Sequence, residues 1–186
     1  NDATRVEVNT ISAEMAKVRD YVPPYAVMAH RGSTFWAPEE TESAWRWARE
    51  MGADYLESDL QCTKDGVILA NHDDNLKRTT NIENVYSELV PATRKAFYMR
   101  HGMSEAEAEK LVEADKASFR PYYAMSYMYE ELLALDAGSW FNETSIEQAR
   151  ESFSEQHQYI SALEDQIRYA EGKMLARDAD GERIYT

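Results

Sequence analysis

The sequence predicts an α/β fold that opens with a strand–helix–strand unit and a hairpin. Three observations carry this. Short runs over residues 25–29, 54–60 and 67–71 have strand length. Between the first two, Ala44, Trp47, Ala48 and Met51 recur at helical spacing. Between the last two stands Asp65-Gly66, a hairpin turn signal.

Residues 1–24 read as a lead-in. Val8, Ile11, Met15 and Val18 predict a short helix over about 10–20, stopped by Pro23-Pro24. The run Tyr25 to Ala29 is apolar on both faces, as in a strand buried within a parallel sheet. His30 then falls at its C-terminal end, where parallel α/β sheets keep their active sites. The helix that follows has Thr41 as N-cap, with Glu39, Glu40 and Glu42 at its positive end and Gly52 as its stop.

The second strand, Asp54 to Leu60, places Tyr55, Glu57 and Asp59 on one face because side chains alternate. Two carboxylates at that spacing can share a hard cation through oxygen ligands. The same spacing also describes a solvated edge strand with one polar face. Residues 62–66 are too few for a parallel crossover, so Val67 to Asn71 should return antiparallel. That return carries His72 toward His30, Glu57 and Asp59.

Along this stretch the chain reads AHRG at 29–32, PEET at 38–41, GADYLESD at 52–59, TKDG at 63–66 and HDDNLKRTT at 72–80. The ordered set resembles the N-terminal part of the glycerophosphodiester phosphodiesterase family. A later LLALDAGSWF at 132–141 resembles a family segment too, as does Ser161 to Asp165. The resemblance implies a TIM (β/α)8 barrel that hydrolyses glycerophosphodiesters to glycerol 3-phosphate and an alcohol. It implies His30 and His72 as the acid/base pair, Arg31 on the substrate phosphate, and Glu57 and Asp59 on one divalent cation, calcium or magnesium. Glu40 stands where the family usually has Asn. The family's third metal carboxylate lies on a later strand, and no segment up to Thr186 matches it. Two other readings stay open: a barrel phosphodiesterase of phospholipase type, and a catalytically incomplete binding module.

A TIM barrel typically needs about 250 residues, and this chain has 186. The expectation is therefore a single partial barrel domain over 1–186, its C-terminal half missing, with a helical insertion over 83–129. Exposed strand edges in such a half-barrel would favour homo-oligomerisation.

Within the insertion, residues 91–101 look helical, and Ser104 with Glu107 forms a capping box that opens a second helix. His101 is expected at a helix end. Phe119 to Tyr129 is rich in Tyr and Met, which suits a core or interface patch better than an aromatic wall facing substrate. Asp136 is a candidate substitute metal ligand in a mainly architectural loop. Glu147 to Gly172 predicts a long helix with Phe153, Ile160, Leu163 and Ile167 as its stripe and His157 on a solvated face. Residues 173–186 predict a further strand, with a hairpin turn over 178–182.

A net charge of −14 argues against nucleic acid or an anionic membrane as partner. It also leaves attraction of an anionic substrate to local arginine and a cation. No run of 18 apolar residues exists to span a membrane. The single cysteine, Cys62, reads as a small buried residue. A start at Asn1 without Met is compatible with a removed leader and export.

Overall fold

The computed structural model of the chain describes residues 25–178 and 182–186, together with Ala13 and Lys17. The lead-in helix expected over 10–20 falls outside the described residues apart from those two.

The strand–helix–strand unit forms as its pattern predicts. Strand β1 (Met28–His30) runs into helix α1 (Glu42–Glu50), and β2 (Tyr55–Glu57) returns parallel to β1. The Thr41 hydroxyl accepts from Ala44 N–H and caps α1. Gly52 takes φ +85 beyond its end, a left-handed conformation that costs glycine little. The inner face of α1 is Ala44, Trp45 and Ala48, while Met51 is exposed. The expected stripe through Met51 is thus corrected by part of a turn.

Two strand expectations also need correction. Tyr25 is 99% and Met28 68% exposed, so the first strand is not buried. A parallel strand is buried only when neighbours cover both faces, and among the described residues only β2 pairs with β1. The second strand does not run unbroken from Asp54 to Leu60. Asp59 N–H donates to Glu40 Oε1 instead of a strand ladder, and β3 (Leu60–Cys62) starts afresh after it. Strand β3 pairs antiparallel with β4 (Ile68–Ala70), which confirms the hairpin, with Gly66 at φ +85 in the turn. Cys62 is exposed at its end, not buried.

The insertion carries α2 (Ile82–Val85), α3 (Arg94–Arg100) and α4 (Glu105–Ser118). The Ser104–Glu107 capping box is present, and His101 caps α3 with its ring stacked on Phe97. Tyr127 is fully buried, and Phe119, Tyr122 and Tyr129 pack against the same core, with Leu69, Leu76 and Leu132. That segment is core. Its centre of charge is Arg94, which is fully buried. Arg94 donates to both Glu131 oxygens (2.9 and 2.8 Å), to Asp115 Oδ2 (2.6 Å) and to the Ser126 carbonyl (2.8 Å).

The chain continues through α5 (Tyr129–Leu132), α6 (Ser139–Thr144), α7 (Ser152–Glu155) and α8 (Leu163–Ala170). The single long helix expected over 147–172 does not form. Asn142 pairs with the Arg150 backbone in both directions, and Asp136 Oδ1 accepts from Gln158 N–H. Residue 162 bridges Leu69, and Ser161 O accepts from Ala70 N–H. With its backbone groups so engaged, the 156–162 stretch stays extended. Phe153 and Ile160 lie in two different core clusters, so they were never one stripe. Ile167 is exposed, and α8 buries Asp165, Gln166 and Tyr169 instead. It packs on α1 and on β2, where Gln166 Nε2 donates to the Leu56 carbonyl. Strands β5 (Leu175–Arg177) and β6 (Arg183–Tyr185) pair antiparallel, and the turn expected over 178–182 lies outside the described residues at 179–181. No described helix is long and apolar enough to cross a membrane.

Candidate active site

The parallel register sets His30 directly opposite Glu57, each the last residue of its strand. The chain after His30 turns sharply. Arg31 has φ +57, a conformation that costs a non-glycine residue about 1–2 kcal/mol. Gly32 follows at φ +83, and a Cβ there would lie 2.6 Å from the Ala44 Cβ. The turn therefore presses the strand end onto α1 and aims Arg31 back across it. Arg31 N–H donates to Glu57 Oε2 at 3.0 Å. Its guanidinium reaches Glu39 at 3.2 Å and lies 3.0 Å from Asp59 Oδ2. The second contact is an ion pair without hydrogen-bond alignment, so Asp59 Oδ2 is buried with no donor.

The structure thus sets four of the five candidate residues, His30, Arg31, Glu57 and Asp59, at one strand end, with Glu57 on the Arg31 backbone N–H and Asp59 on its guanidinium. The fifth, His72, joins by a relay. Asn71 N–H donates to the Asp59 carbonyl, and Gln61 Nε2 to the His72 carbonyl. His72 Nδ1 lies 2.5 Å from Asp73 Oδ1, and Arg78 spans from Asp73 to Glu39. Glu39 also receives Arg31. Asp73 and Arg78 lie inside a motif visible in the sequence, but nothing local says that Arg78 reaches back to Glu39. That link is a long-range contact.

Glu40 is 3% exposed and takes φ +54. Its Oε1 accepts from Asp59 N–H at 2.6 Å, and its Oε2 is buried without a partner. Burial pushes its carboxyl up to about 8; the Asp59 N–H opposes this, and the charges of Asp59 and Glu39 reinforce it. A protonated carboxyl offers a carbonyl acceptor and a hydroxyl donor where an asparagine amide offers a carbonyl and an NH₂ group.

Asp136, the candidate substitute ligand, is engaged by backbone donors. Its carboxylate accepts from Gly138, Ser139 and Gln158 N–H groups, so it caps α6 and pins the loop. Among the described residues no group of three His, Cys, Asp or Glu side chains forms a metal cluster. Glu57 and Asp59 remain as a carboxylate pair with an orphaned oxygen. Two carboxylates are oxygen donors of the kind a hard divalent cation takes. Two openings flank the cluster. One of about 360 Å³ runs past His30 to Phe35 and Trp36. The other, about 680 Å³, lies beside Arg78 and Trp140. Either is of a size that holds a small ligand.

Known proteins share this sequence and fold. A profile of the glycerophosphoryl diester phosphodiesterase family matches residues 30–185. A glycerophosphodiester phosphodiesterase of Bacillus subtilis (strain 168) is 32% identical over 126 residues, which cover 68% of this chain and 30% of that protein. One from Caldanaerobacter subterraneus is 49% identical over 57 residues, covering 31% of this chain and 24% of its own length. Among solved structures, a phosphodiesterase of Oleispira antarctica in complex with the product sn-glycerol-3-phosphate superposes with a TM-score of 0.51 at 24% identity. That match covers 83% of this chain and 42% of the other. It shows a shared fold. The chain spans under a third of the length of these curated relatives. The family match, from the histidine that ends β1 through the closing hairpin, makes this chain a member of the glycerophosphoryl diester phosphodiesterase family.

Proposed function

We propose that the protein hydrolyses glycerophosphodiesters to glycerol 3-phosphate and an alcohol, with this chain supplying the N-terminal part of a TIM barrel. The observation that carries the proposal is the opposition of His30 and Glu57 at one end of a parallel strand pair, with the Arg31 N–H on Glu57 and the Arg31 guanidinium on Asp59. Parallel α/β sheets react substrates at that end.

In this reading His30 and His72 share the proton work. Imidazoles titrate near neutral pH, so one takes a proton from the attacking oxygen while the other returns one to the leaving alcohol. Arg31 offers a planar fork to phosphate oxygens as charge builds on them. Glu57 and Asp59 would hold a calcium or magnesium ion, which when bound supplies further positive charge to those oxygens. A third protein ligand would come from outside the described residues. With a net charge of −14, the protein needs this local positive charge to receive an anion at all.

The test is release of glycerol 3-phosphate from glycerophosphocholine by the protein as the cell makes it, with and without chelator. His30→Ala and His72→Ala should each lower kcat by about 10²–10⁴-fold, and chelation should abolish turnover. Turnover indifferent to chelator would remove the cation from the scheme. Full turnover in both histidine variants would overturn the assignment.

A further inference from the structure

His72 does not stand alone. Its Nδ1 lies 2.5 Å from Oδ1 of Asp73, the next residue in the chain. Asp73 Oδ2 in turn accepts from Arg78 Nε at 2.6 Å. The same guanidinium donates its two other nitrogens to the two Glu39 oxygens, at 3.2 and 2.7 Å. Consecutive side chains seldom meet, and here the backbone is held so that they do. Asn71 Nδ2 donates to the Asp73 carbonyl at 2.6 Å, and Gln61 Nε2 to the His72 carbonyl at 3.0 Å.

From this geometry we infer that Asp73 and Arg78 are positioning residues for His72: Asp73 keeps the proton on Nδ1, so Nε2 faces the substrate, and Arg78 anchors the carboxylate to Glu39. The inference rests on the reading of His72 as one of the two proton-transferring groups. Hydrogen bonding from Arg78, against a smaller effect of burial and with help from His72, holds the Asp73 carboxyl down at about 2. An ionised carboxylate only accepts, so the short contact to a neutral imidazole places the hydrogen on Nδ1. The lone pair is then on Nε2. When Nε2 takes up a proton, the adjacent carboxylate stabilises the imidazolium. Arg78 adds a second consequence. Glu39 Oε1 also accepts from Arg31, so the anchor of His72 and the proposed phosphate fork share one carboxylate.

Stability does not account for the relay. The His72, Asp73 and Arg78 side chains are 42%, 28% and 44% exposed, and exposed ion pairs contribute little. A role in orientation can therefore be separated from a role in folding.

The experiment is a long-range ¹H–¹⁵N correlation spectrum of the histidine-labelled chain, with His72 assigned by His72→Gln and recorded where the imidazole is neutral. His72 should be in the Nδ1–H form. Asp73→Asn should move it toward the Nε2–H form, and Arg78→Gln should leave a mixture that Arg78→Lys partly restores. The melting temperature should stay within a few degrees in all three. In the activity assay Asp73→Asn should lower kcat by at least tenfold with KM nearly constant, a share of the 10²–10⁴-fold typical of one acid/base group. An Nε2–H form in the unsubstituted chain overturns the inference whether or not any variant folds. So does an unchanged tautomer in a folded Asp73→Asn. Should His72→Gln leave turnover intact while the tautomer responds as stated, the functional reading fails and the positioning stands.

Discussion

At Glu40 the chain holds an ionisable group where its family usually has an amide. The buried carboxyl has its pKa raised to about 8 from an ordinary value of 4.5. Between those values the folded protein keeps a proton that the unfolded chain has lost. The contribution is fully present below about 4.5 and is lost as pH rises through about 8, at no more than about 1.4 kcal/mol per pH unit. Urea unfolding in chelator should therefore show stability declining across this window. Glu40→Gln, which keeps the acceptor and the shape, should flatten the decline. An identical slope in the variant would show that Glu40 is not the titrating group. Reading the sequence exposes the departure from Asn but not its remedy. Only burial beside the Asp59 amide explains why a carboxyl can do an amide's work.

Between elements, the tightest constraint is the turn from β1 into α1. Gly32→Ala would place a methyl 2.6 Å from the Ala44 Cβ and strain a backbone at φ +83. Unfolding should show a loss of about 2–5 kcal/mol, part conformational and part steric. In the insertion, Arg94 ties α3 to α4 and α5 through Asp115 and Glu131. Arg94→Ala leaves two carboxylates without their buried partner and should cost about 3–5 kcal/mol by chemical denaturation. Elements with local signals were legible in advance: the Thr41 cap, the Ser104–Glu107 box, the parallel pair and the hairpin. The caps and the hairpin depend on residues within a few positions of one another, and the parallel pair follows from the helix that joins its two strands. The 147–172 segment was not, because side chains outside it, Asp136 and Asn142, take up backbone groups that a helix would have used. The site divides the same way. His30, Arg31, Glu57, Asp59 and His72 announce themselves by type and spacing. Glu39 and Arg78 meet across 39 positions of chain, and no local pattern encodes that.

For the molecule as a whole, charge is the governing quantity. Carboxylates outnumber cationic side chains by 34 to 20, and several crowd one strand end. A divalent cation that binds there and not to the unfolded chain stabilises by mass action, about 2.7 kcal/mol at a hundredfold excess over Kd. Calcium or magnesium should accordingly raise Tm by several degrees, and Glu57→Gln with Asp59→Asn should remove the rise while leaving any general salt effect. An equal rise in the double variant would assign it to screening alone. The edge of β1 that no described strand covers makes the oligomeric state a natural companion measurement. One surface feature bears on how that measurement is read. The thiol of Cys62 stands in the open at the end of a strand, and the chain has no second cysteine to pair with it. Two molecules left in air can therefore become covalently joined through it, and the resulting species would mimic a native dimer on a sizing column until a reducing agent dissolved it.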